Sequence, residues 1–253
     1  MNIGLVQYHP SWENKGLSKS KIDQFLDNLS PDIDLLVFPE LTLTGFTMRS
    51  KRFAEKIDGD SIRFFSALAD KYSCHVIAGF IEVDQEKYYN TLIHLSAQET
   101  PVSIYRKIHP FSFTGENRHY ASGHQPTITK VKGLRIGLSI CYDLRFPELF
   151  RRYAKERVDI IVNIANWPVD RIEHWYTLLK ARAIENQCYV VGVNRVGSDK
   201  SLDYPGWSSV FNPFGDEILC LRDEEKVGIV KVHGEEVIQT RDKYPFLNDI
   251  SLI

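Results

Sequence analysis

The sequence predicts an α/β (α+β) protein in which two β-sheets pack together and helices flank them. In the first half, short apolar runs typical of strands alternate with segments that have the helical i, i+3, i+4, i+7 spacing. The second half repeats a crude β-α-β-α-β-β order. No linker or change of composition separates the halves. We therefore expect one domain over residues 1–253.

The first elements are two strands and the helix between them. Residues 2–7 read as a short strand. The following helix has one apolar face, formed by Ile22, Phe25, Leu26 and Leu29. Residues 34–39 are a continuous apolar run, which is typical of a strand covered on both faces.

A second helix and three β segments complete the first half. Asp60 is the expected N-cap of this helix. Its predicted buried face consists of Ile62, Phe65, Leu68 and Tyr72. The β segments are expected at 75–83, 88–97 and 101–107, and a polar turn at 84–87 joins the first two.

A long loop separates the two halves. Residues 108–126 hold three His, two Gly and two Pro, and loops of this length are often functional. In the second half, the pattern predicts strands at 134–140 and 158–164 and helices near 147–156 and 171–186. It predicts further β segments at 188–196, 207–213, 217–222 and 227–232. The tail at 234–253 has little periodicity, and we expect its apolar residues at 244–247 to dock at a subunit interface.

Composition excludes several classes of protein. The 253 residues carry a formal net charge of -2 and are 43% hydrophobic, as in ordinary globular proteins. Balanced charge gives no general attraction to nucleic acid or anionic membranes. No apolar run approaches the roughly 20 residues that span a bilayer, and the start lacks the pattern of a signal peptide. We expect a cytoplasmic protein that binds neither nucleic acid nor membrane.

Three reactive side chains stand at the ends of predicted strands, where α/β folds usually place their sites. They are Glu40, Lys107 and Cys141. A charged residue that ends one strand is unremarkable, but these three have complementary chemistry. A free thiol has a pKa of about 8.5, so it needs a nearby cation or base to attack at neutral pH. The set suits acyl transfer, because the ammonium also stabilises an oxyanion.

The other cysteines are expected to be inert. Cys74, Cys188 and Cys220 each lie in apolar β-like runs, where a lone thiol is usually a buried small hydrophobe. No Cys-x-x-Cys pair exists, which argues against a zinc or iron–sulfur site. His119 and His124 lie five residues apart in a loop, too loosely spaced to predict a metal site without a third ligand.

Three segments resemble the signature blocks of the nitrilase superfamily of carbon–nitrogen hydrolases. They are Phe-Pro-Glu-Leu-Thr-Leu-Thr-Gly-Phe (38–46), Tyr-Arg-Lys-Ile-His (105–109) and Ser-Ile-Cys-Tyr-Asp-Leu-Arg-Phe-Pro-Glu (139–148). The resemblance extends over essentially the whole chain. It implies a four-layer α-β-β-α sandwich, a Glu-Lys-Cys triad without metal or organic cofactor, and a homodimer.

The resemblance also implies a role for each site residue. Cys141 would be the nucleophile, and Glu40 the general base that later activates water. Lys107 would hold the oxyanion together with the backbone N–H of Tyr142. Glu116 best matches the family's second glutamate, which orients the lysine or assists the base, although an exposed loop carboxylate is the simpler interpretation.

The segment at 164–190 resembles the omega-amidase branch, whose members hydrolyse the distal amide of 2-oxo acids such as 2-oxoglutaramate and 2-oxosuccinamate. Trp167 would form a pocket wall. A guanidinium binds the carboxylate of such a substrate well, which makes Arg145 and Arg171 the candidates. An ion pair of Arg145 with Asp143 or Glu148 is the favoured alternative, whereas the two interpretations of Arg171 are evenly balanced.

Two alternatives stay open. The chain could be another small-amide, N-carbamoyl or nitrile hydrolase of the same superfamily. It could also be a catalytically silent interaction module on this fold. Such a module need not retain Glu40, Lys107 and Cys141 together, so the intact set favours an enzyme that takes a small-molecule amide and water.

Overall fold

A computed structural model describes residues 1–27, 29, 32–97, 101–199 and 202–252. The strands are β1 (Asn2–Gln7), β2 (Leu35–Val37), β3 (His75–Asp84), β4 (Lys87–Leu95), β5 (Ser103–Arg106), β6 (Ile128–Val131), β7 (Leu134–Ile140), β8 (Ile160–Ala165), β9 (Tyr189–Asn194), β10 (Val196–Ser198), β11 (Asp203–Phe211), β12 (Glu217–Arg222) and β13 (Lys226–Lys231). The helices are α1 (Lys15–Leu26), α2 (Ser50–Phe53), α3 (Asp60–Lys71), α4 (Pro147–Lys155), α5 (Ile172–Asn186) and α6 (Gly234–Lys243).

The described strands form two mixed sheets. The first has six strands in the order β13-β1-β2-β3-β4-β5. The second has seven: six follow the order β10-β11-β9-β8-β7-β6, and β12 pairs with β11. Strands β1, β2 and β3 are parallel, as are β7, β8 and β9.

Side-chain alternation divides the buried residues into layers. In β2, Leu35 and Val37 join a cluster that spans both sheets, whereas Leu36 packs in a second cluster. That second cluster includes residues of α1 and α3, so these helices cover the outer face of the first sheet. Residues of α4 and α5 pack on the second sheet. The predicted four-layer α-β-β-α sandwich is confirmed.

Strand direction brings the ends of several strands to one edge of the sandwich. β4 runs antiparallel to β3, and β5 runs antiparallel to β4. The end of β5 therefore lies at the same edge as the ends of β2 and β3. The start of β4 lies there too, because Asn90 pairs with Ile81 near the end of β3. This edge carries the candidate site.

Some local predictions were wrong. Asp60 is not the N-cap of α3 but its first residue, after the N-cap Gly59, and its carboxylate pairs with Lys19. Leu29 lies beyond the end of α1. The tail expected to lack periodicity contains α6, and β6 and α2 had no predicted counterpart. The expected β segments at 88–97 and 101–107 correspond to β4 and β5. Residues 98–100, which lie between them, are outside the described part of the chain.

None of the described helices is both long and apolar enough to cross a membrane.

Candidate active site

Glu40 lies three residues after β2, and its carboxylate is buried. The turn that carries it passes against β3 at Gly79, where a Cβ would lie 2.5 Å from the Leu41 nitrogen and 3.0 Å from the Glu40 Cα. Glycine is therefore required there by close backbone approach. Two hydrogen bonds fix the turn: Thr42 N–H donates to the Gly79 oxygen, and Gly79 N–H donates to the Thr42 hydroxyl.

The sequence-predicted residues Glu40, Lys107 and Glu116 meet in one buried cluster. Lys107 directly follows β5, and its Nζ donates to Oε1 of Glu40 at 2.8 Å. The same Nζ donates to Oε1 and Oε2 of Glu116 at 3.1 and 2.9 Å. Glu116 is fully buried, so the alternative of an exposed loop carboxylate was wrong.

Charges in this cluster offset the cost of burial. Burial alone lowers the pKa of Lys107, but the carboxylates of Glu116 and Glu40 outweigh it and hold that pKa well above its ordinary value. Burial raises the pKa of Glu116, and Lys107 acts in the opposite direction. Lys107 is therefore an ammonium at neutral pH, as an oxyanion-binding group must be.

Two asparagines, whose contacts with Glu40 the sequence did not predict, complete its surroundings. Asn90, in β4, donates from Nδ2 to Oε1 of Glu40 at 2.7 Å. Asn166, which follows β8, donates its backbone N–H to Oε2 at 2.9 Å, and its Nδ2 donates to the Glu40 carbonyl oxygen at 2.7 Å. The only sequence signal for Asn90 is a polar side chain inside an apolar strand.

Cys141 directly follows β7 and has φ of 47°, in the left-handed region that few non-glycine residues adopt. Its side chain is half-buried and packs beside the cluster. Burial raises the pKa of this thiol well above its ordinary value, Glu40 raises it further, and Lys107 opposes both. The sequence required a nearby cation or base for this thiol, and the structure places both Lys107 and Glu40 close enough to act on its pKa.

Asp143 fixes the turn after Cys141, and the sequence analysis gave it no such role. Its Oδ2 accepts from the Tyr105 hydroxyl at 2.7 Å and from the Ile140 N–H at 3.0 Å. Its Oδ1 accepts from the backbone N–H of His109 at 3.0 Å and from the His109 ring Nδ1 at 2.8 Å. Since Lys107 lies between Tyr105 and His109, this buried carboxylate joins the lysine segment to the cysteine turn.

Tyr142 is the second residue of a short 3₁₀ turn, Cys141–Arg145. The first N–H groups of such a turn have no partner within it, which leaves the Tyr142 N–H available beside Cys141.

A pocket opens over the thiol. Its lining includes Cys141, Tyr142, Asn166 and all three predicted substrate-binding residues, Trp167, Arg145 and Arg171. The remaining lining side chains are mostly aromatic or apolar: Phe46, Phe111, Thr114, Pro168, Leu202 and Tyr204. Leu202 and Tyr204 come from the segment 196–206, of which residues 200 and 201 lie outside the described part of the chain.

The two pocket arginines lie over aromatic rings. The Arg145 guanidinium lies 4.9 Å from the Trp167 ring centre, and its Nη2 lies 3.1 Å from Nδ1 of His174. The Arg171 guanidinium lies 5.6 Å from the Phe111 ring centre. Within the described residues, Arg145 makes no ion pair with Asp143 or Glu148, so that alternative was wrong.

The remaining cysteines lie away from this pocket. Cys74 and Cys188 are buried, and burial raises the pKa of their thiols to about 11 and about 12. Cys220 is half-buried in β12. Across the described ranges, no three His, Cys, Asp or Glu side chains converge to hold a metal ion.

Comparison with known proteins agrees with this geometry. The family described as carbon–nitrogen hydrolase matches residues 2–242. The chain belongs to the carbon–nitrogen hydrolase family. Such a hydrolase cleaves carbon–nitrogen bonds, so this chain is an enzyme.

Curated relatives of this carbon–nitrogen hydrolase cover nearly the whole chain. It is 30% identical to a 2-oxoglutaramate amidase of Bacillus subtilis over 98% of this chain and 96% of that protein. It is 35% identical to a 2-oxoglutaramate amidase of Paenarthrobacter nicotinovorans over 98% of this chain and 89% of that protein. A solved CN-hydrolase superfamily protein of Xanthomonas campestris, 30% identical, superposes with a TM-score of 0.96 over 100% of this chain and 98% of that one.

Proposed function

We propose that this hydrolase is an omega-amidase, which releases ammonia from the distal amide of small 2-oxo acids such as 2-oxoglutaramate and 2-oxosuccinamate. One observation carries the proposal: a half-buried thiol beside a buried Glu-Lys pair lies in a pocket whose lining also includes two guanidinium groups. The names of the two bacterial relatives support the same substrate class.

Acylation begins when the Cys141 thiol attacks the amide carbon and Glu40 accepts the thiol proton. The carbonyl oxygen becomes an oxyanion, which Lys107 Nζ and the Tyr142 N–H stabilise. The C–N bond then breaks. Ammonia leaves with the proton that Glu40 had accepted, and a thioester on Cys141 remains.

Deacylation repeats these steps with water. Glu40 removes a proton from a water molecule, which attacks the thioester carbon. The Lys107 Nζ and the Tyr142 N–H also stabilise this second oxyanion. When the C–S bond breaks, the thiolate recovers a proton from Glu40 and the carboxylic acid leaves. Glu116 supports both stages by holding the Lys107 ammonium in place.

Arg145 and Arg171 are proposed to bind the substrate carboxylate. A 2-oxo acid amide carries its carboxylate several atoms from the amide, so the cation must lie in the pocket wall and not beside the thiol. Both guanidinium groups meet this condition. The planar faces of Trp167 and Phe111 orient the two guanidinium groups, and a guanidinium edge can bind a carboxylate through two N–H groups.

A substrate panel tests this function. We expect kcat/KM to be highest for 2-oxoglutaramate or 2-oxosuccinamate among these, glutamine, N-carbamoyl amino acids and simple nitriles. Preference for a carbamoyl or nitrile substrate would assign the enzyme to another branch of the family. No hydrolysis of any compound would favour the silent interaction module.

Arginine variants test the carboxylate contact. Arg145→Met and Arg171→Met should each raise KM for 2-oxoglutaramate by about 10- to 100-fold, since each loses a charge-assisted hydrogen bond. Hydrolysis of an uncharged amide of similar size should change little. Equal losses on both substrates would contradict a carboxylate-binding role.

We also propose that the enzyme is a cytoplasmic homodimer joined through its C-terminal tail. Helix α6 and the residues after it expose apolar side chains, with Ile238 at 59%, Phe246 at 64% and Leu252 at 97% exposure. Contact with a second subunit would cover them. Light scattering should give about twice 29.2 kDa, and a value near 29.2 kDa would exclude the dimer.

A further inference from the structure

Asn90 donates a hydrogen bond to each of the two buried glutamates. From β4, its Nδ2 lies 2.7 Å from Oε1 of Glu40 and 2.9 Å from Oε1 of Glu116. Its backbone oxygen accepts the N–H of Lys107 at 2.9 Å. Asn90 is 1% exposed. One residue therefore contacts all three charged members of the cluster.

The second polar atom of the Asn90 side chain is its carbonyl oxygen, Oδ1. The Oδ1 of Asn90 is buried and accepts no hydrogen bond within the described residues. A buried acceptor without a partner carries a free-energy cost, and folded proteins avoid this. The amide orientation is nevertheless fixed, because both glutamate oxygens accept and only Nδ2 can donate.

Charge explains why this donor is needed. With Glu40 and Glu116 ionised and Lys107 protonated, the buried cluster has a net charge of -1. Two carboxylates that share one cation repel each other, and one would take up a proton without further donors. Other titratable groups also face the two carboxylates. They are Tyr204 in β11, Tyr120 in the segment after β5 and Cys141 after β7.

We infer that Asn90 is a positioning residue that holds the Glu40 and Glu116 carboxylates side by side around Lys107 by donating one N–H to each. Glu40 can then accept the thiol proton, while Glu116 still holds Lys107 as an ammonium. This inference rests on the proposed function, because it assigns Asn90 a role through the Glu40 base.

Asn90→Leu tests the inference, because leucine has the same branched arrangement of side-chain heavy atoms but no hydrogen-bond donor. We expect kcat/KM to fall by about 100-fold, mainly through kcat, since hydrogen bonds to charged groups are lost. The acidic limb of the pH profile should move upward by about one pH unit, because the carboxylates become easier to protonate.

Thr91→Val is the matched control. Thr91 is the next residue of β4, is fully buried, and donates to Glu82 at 2.8 Å, away from the active site. This variant also loses one hydrogen bond to a buried carboxylate, but its pH profile should match the wild type. If Asn90→Leu does not fold, the isosteric Asn90→Asp replaces it. This variant donates at most one hydrogen bond, and it too should shift the acidic limb upward.

A measurement without substrate separates this inference from the proposed function. Iodoacetamide alkylates Cys141, and peptide mass spectrometry measures the rate of this reaction at each pH. The pH dependence of that rate reports the protonation of the same base. Its acidic limb should shift upward in the Asn90 variants even if the substrate panel shows no amidase activity. An unshifted limb in the folded Asn90 variants, or the same shift in Thr91→Val, would overturn the inference.

Discussion

The Nζ of Lys107 lies 2.9 Å from Oε2 of Glu116, and these side chains are 1% and 0% exposed. Nine residues separate the two in sequence. A lysine this buried keeps its charge only because carboxylates surround it. The 108–126 loop therefore contributes directly to the electrostatics around Lys107.

Glu116→Gln should lower kcat/KM by about 100-fold while the protein stays folded. Glutamine has the same shape but no charge, and its NH₂ group cannot accept from the ammonium, so Lys107 loses an ion pair. Steady-state kinetics test this expectation. Glu148→Gln, at an exposed glutamate of α4, is the control and should behave as wild type. A Glu116→Gln enzyme within threefold of wild type would show that Glu116 does not support the lysine.

Asp143→Asn should lower the free energy of unfolding by about 2–3 kcal/mol, because two of the four donors that Asp143 accepts from would face an NH₂ group in place of an oxygen. Activity should fall as well, since the Cys141 turn loses its link to the Lys107 segment. Urea denaturation and kinetics measure the two effects. Tyr105→Phe removes one of the four hydrogen bonds and should give a smaller loss of stability and of activity. Unchanged stability in Asp143→Asn would contradict this description.

Gly79→Ala should disturb Glu40, because the added Cβ would lie 2.5 Å from the Leu41 nitrogen. We expect a loss of about 1–3 kcal/mol in the free energy of unfolding and a marked fall in kcat. Gly16→Ala in α1 is the control. A Cβ there would have its nearest neighbour at 3.7 Å, so that variant should keep full activity. Full activity in Gly79→Ala would show that the turn tolerates the clash.

The protein should lose stability as the pH falls from about 6.5 towards 4. His94 is fully buried between His75, whose Nδ1 lies 2.9 Å away, and Thr129. Burial, with a smaller effect of His75, lowers the pKa of His94 to about 4.

The unfolded chain binds a proton at a higher pH than the folded one does, so acid favours unfolding. His94 alone contributes about 3 kcal/mol of this pH dependence. Chemical denaturation of wild type and His94→Leu at pH 7 and pH 5 measures it. The variant should depend less on pH, and an equal dependence would show that other groups cause the loss.

The sequence predicted the fold well where its signals are local. Residues 134–140 and 217–222 alternate or run apolar between turn residues, and both are strands with those bounds. Helix α6 escaped prediction because Val237 is its only buried residue, so no apolar face marks it. Tertiary contacts support this helix instead, such as the Arg241 guanidinium donating to the Val158 oxygen at 2.6 Å.

The site was predictable only in part, for the same reason. Glu40, Lys107 and Cys141 stood out because each ends a strand and has reactive chemistry. Asn90 and Asp143 act through partners distant in sequence, such as Glu40, 50 residues from Asn90. The direction of the Cys141 pKa could not be predicted, because charge is visible in sequence whereas burial, the larger effect, is not.

Trapping of the acyl-enzyme tests the central claim most directly. After 2-oxoglutaramate is mixed with the enzyme and quenched in acid, intact-protein and peptide mass spectrometry should find Cys141 carrying the substrate minus ammonia. Cys141→Ala, folded as judged by circular dichroism, should carry no adduct and release no ammonia. Ammonia release from Cys141→Ala at the wild-type rate, or an adduct on another residue, would contradict the thioester mechanism.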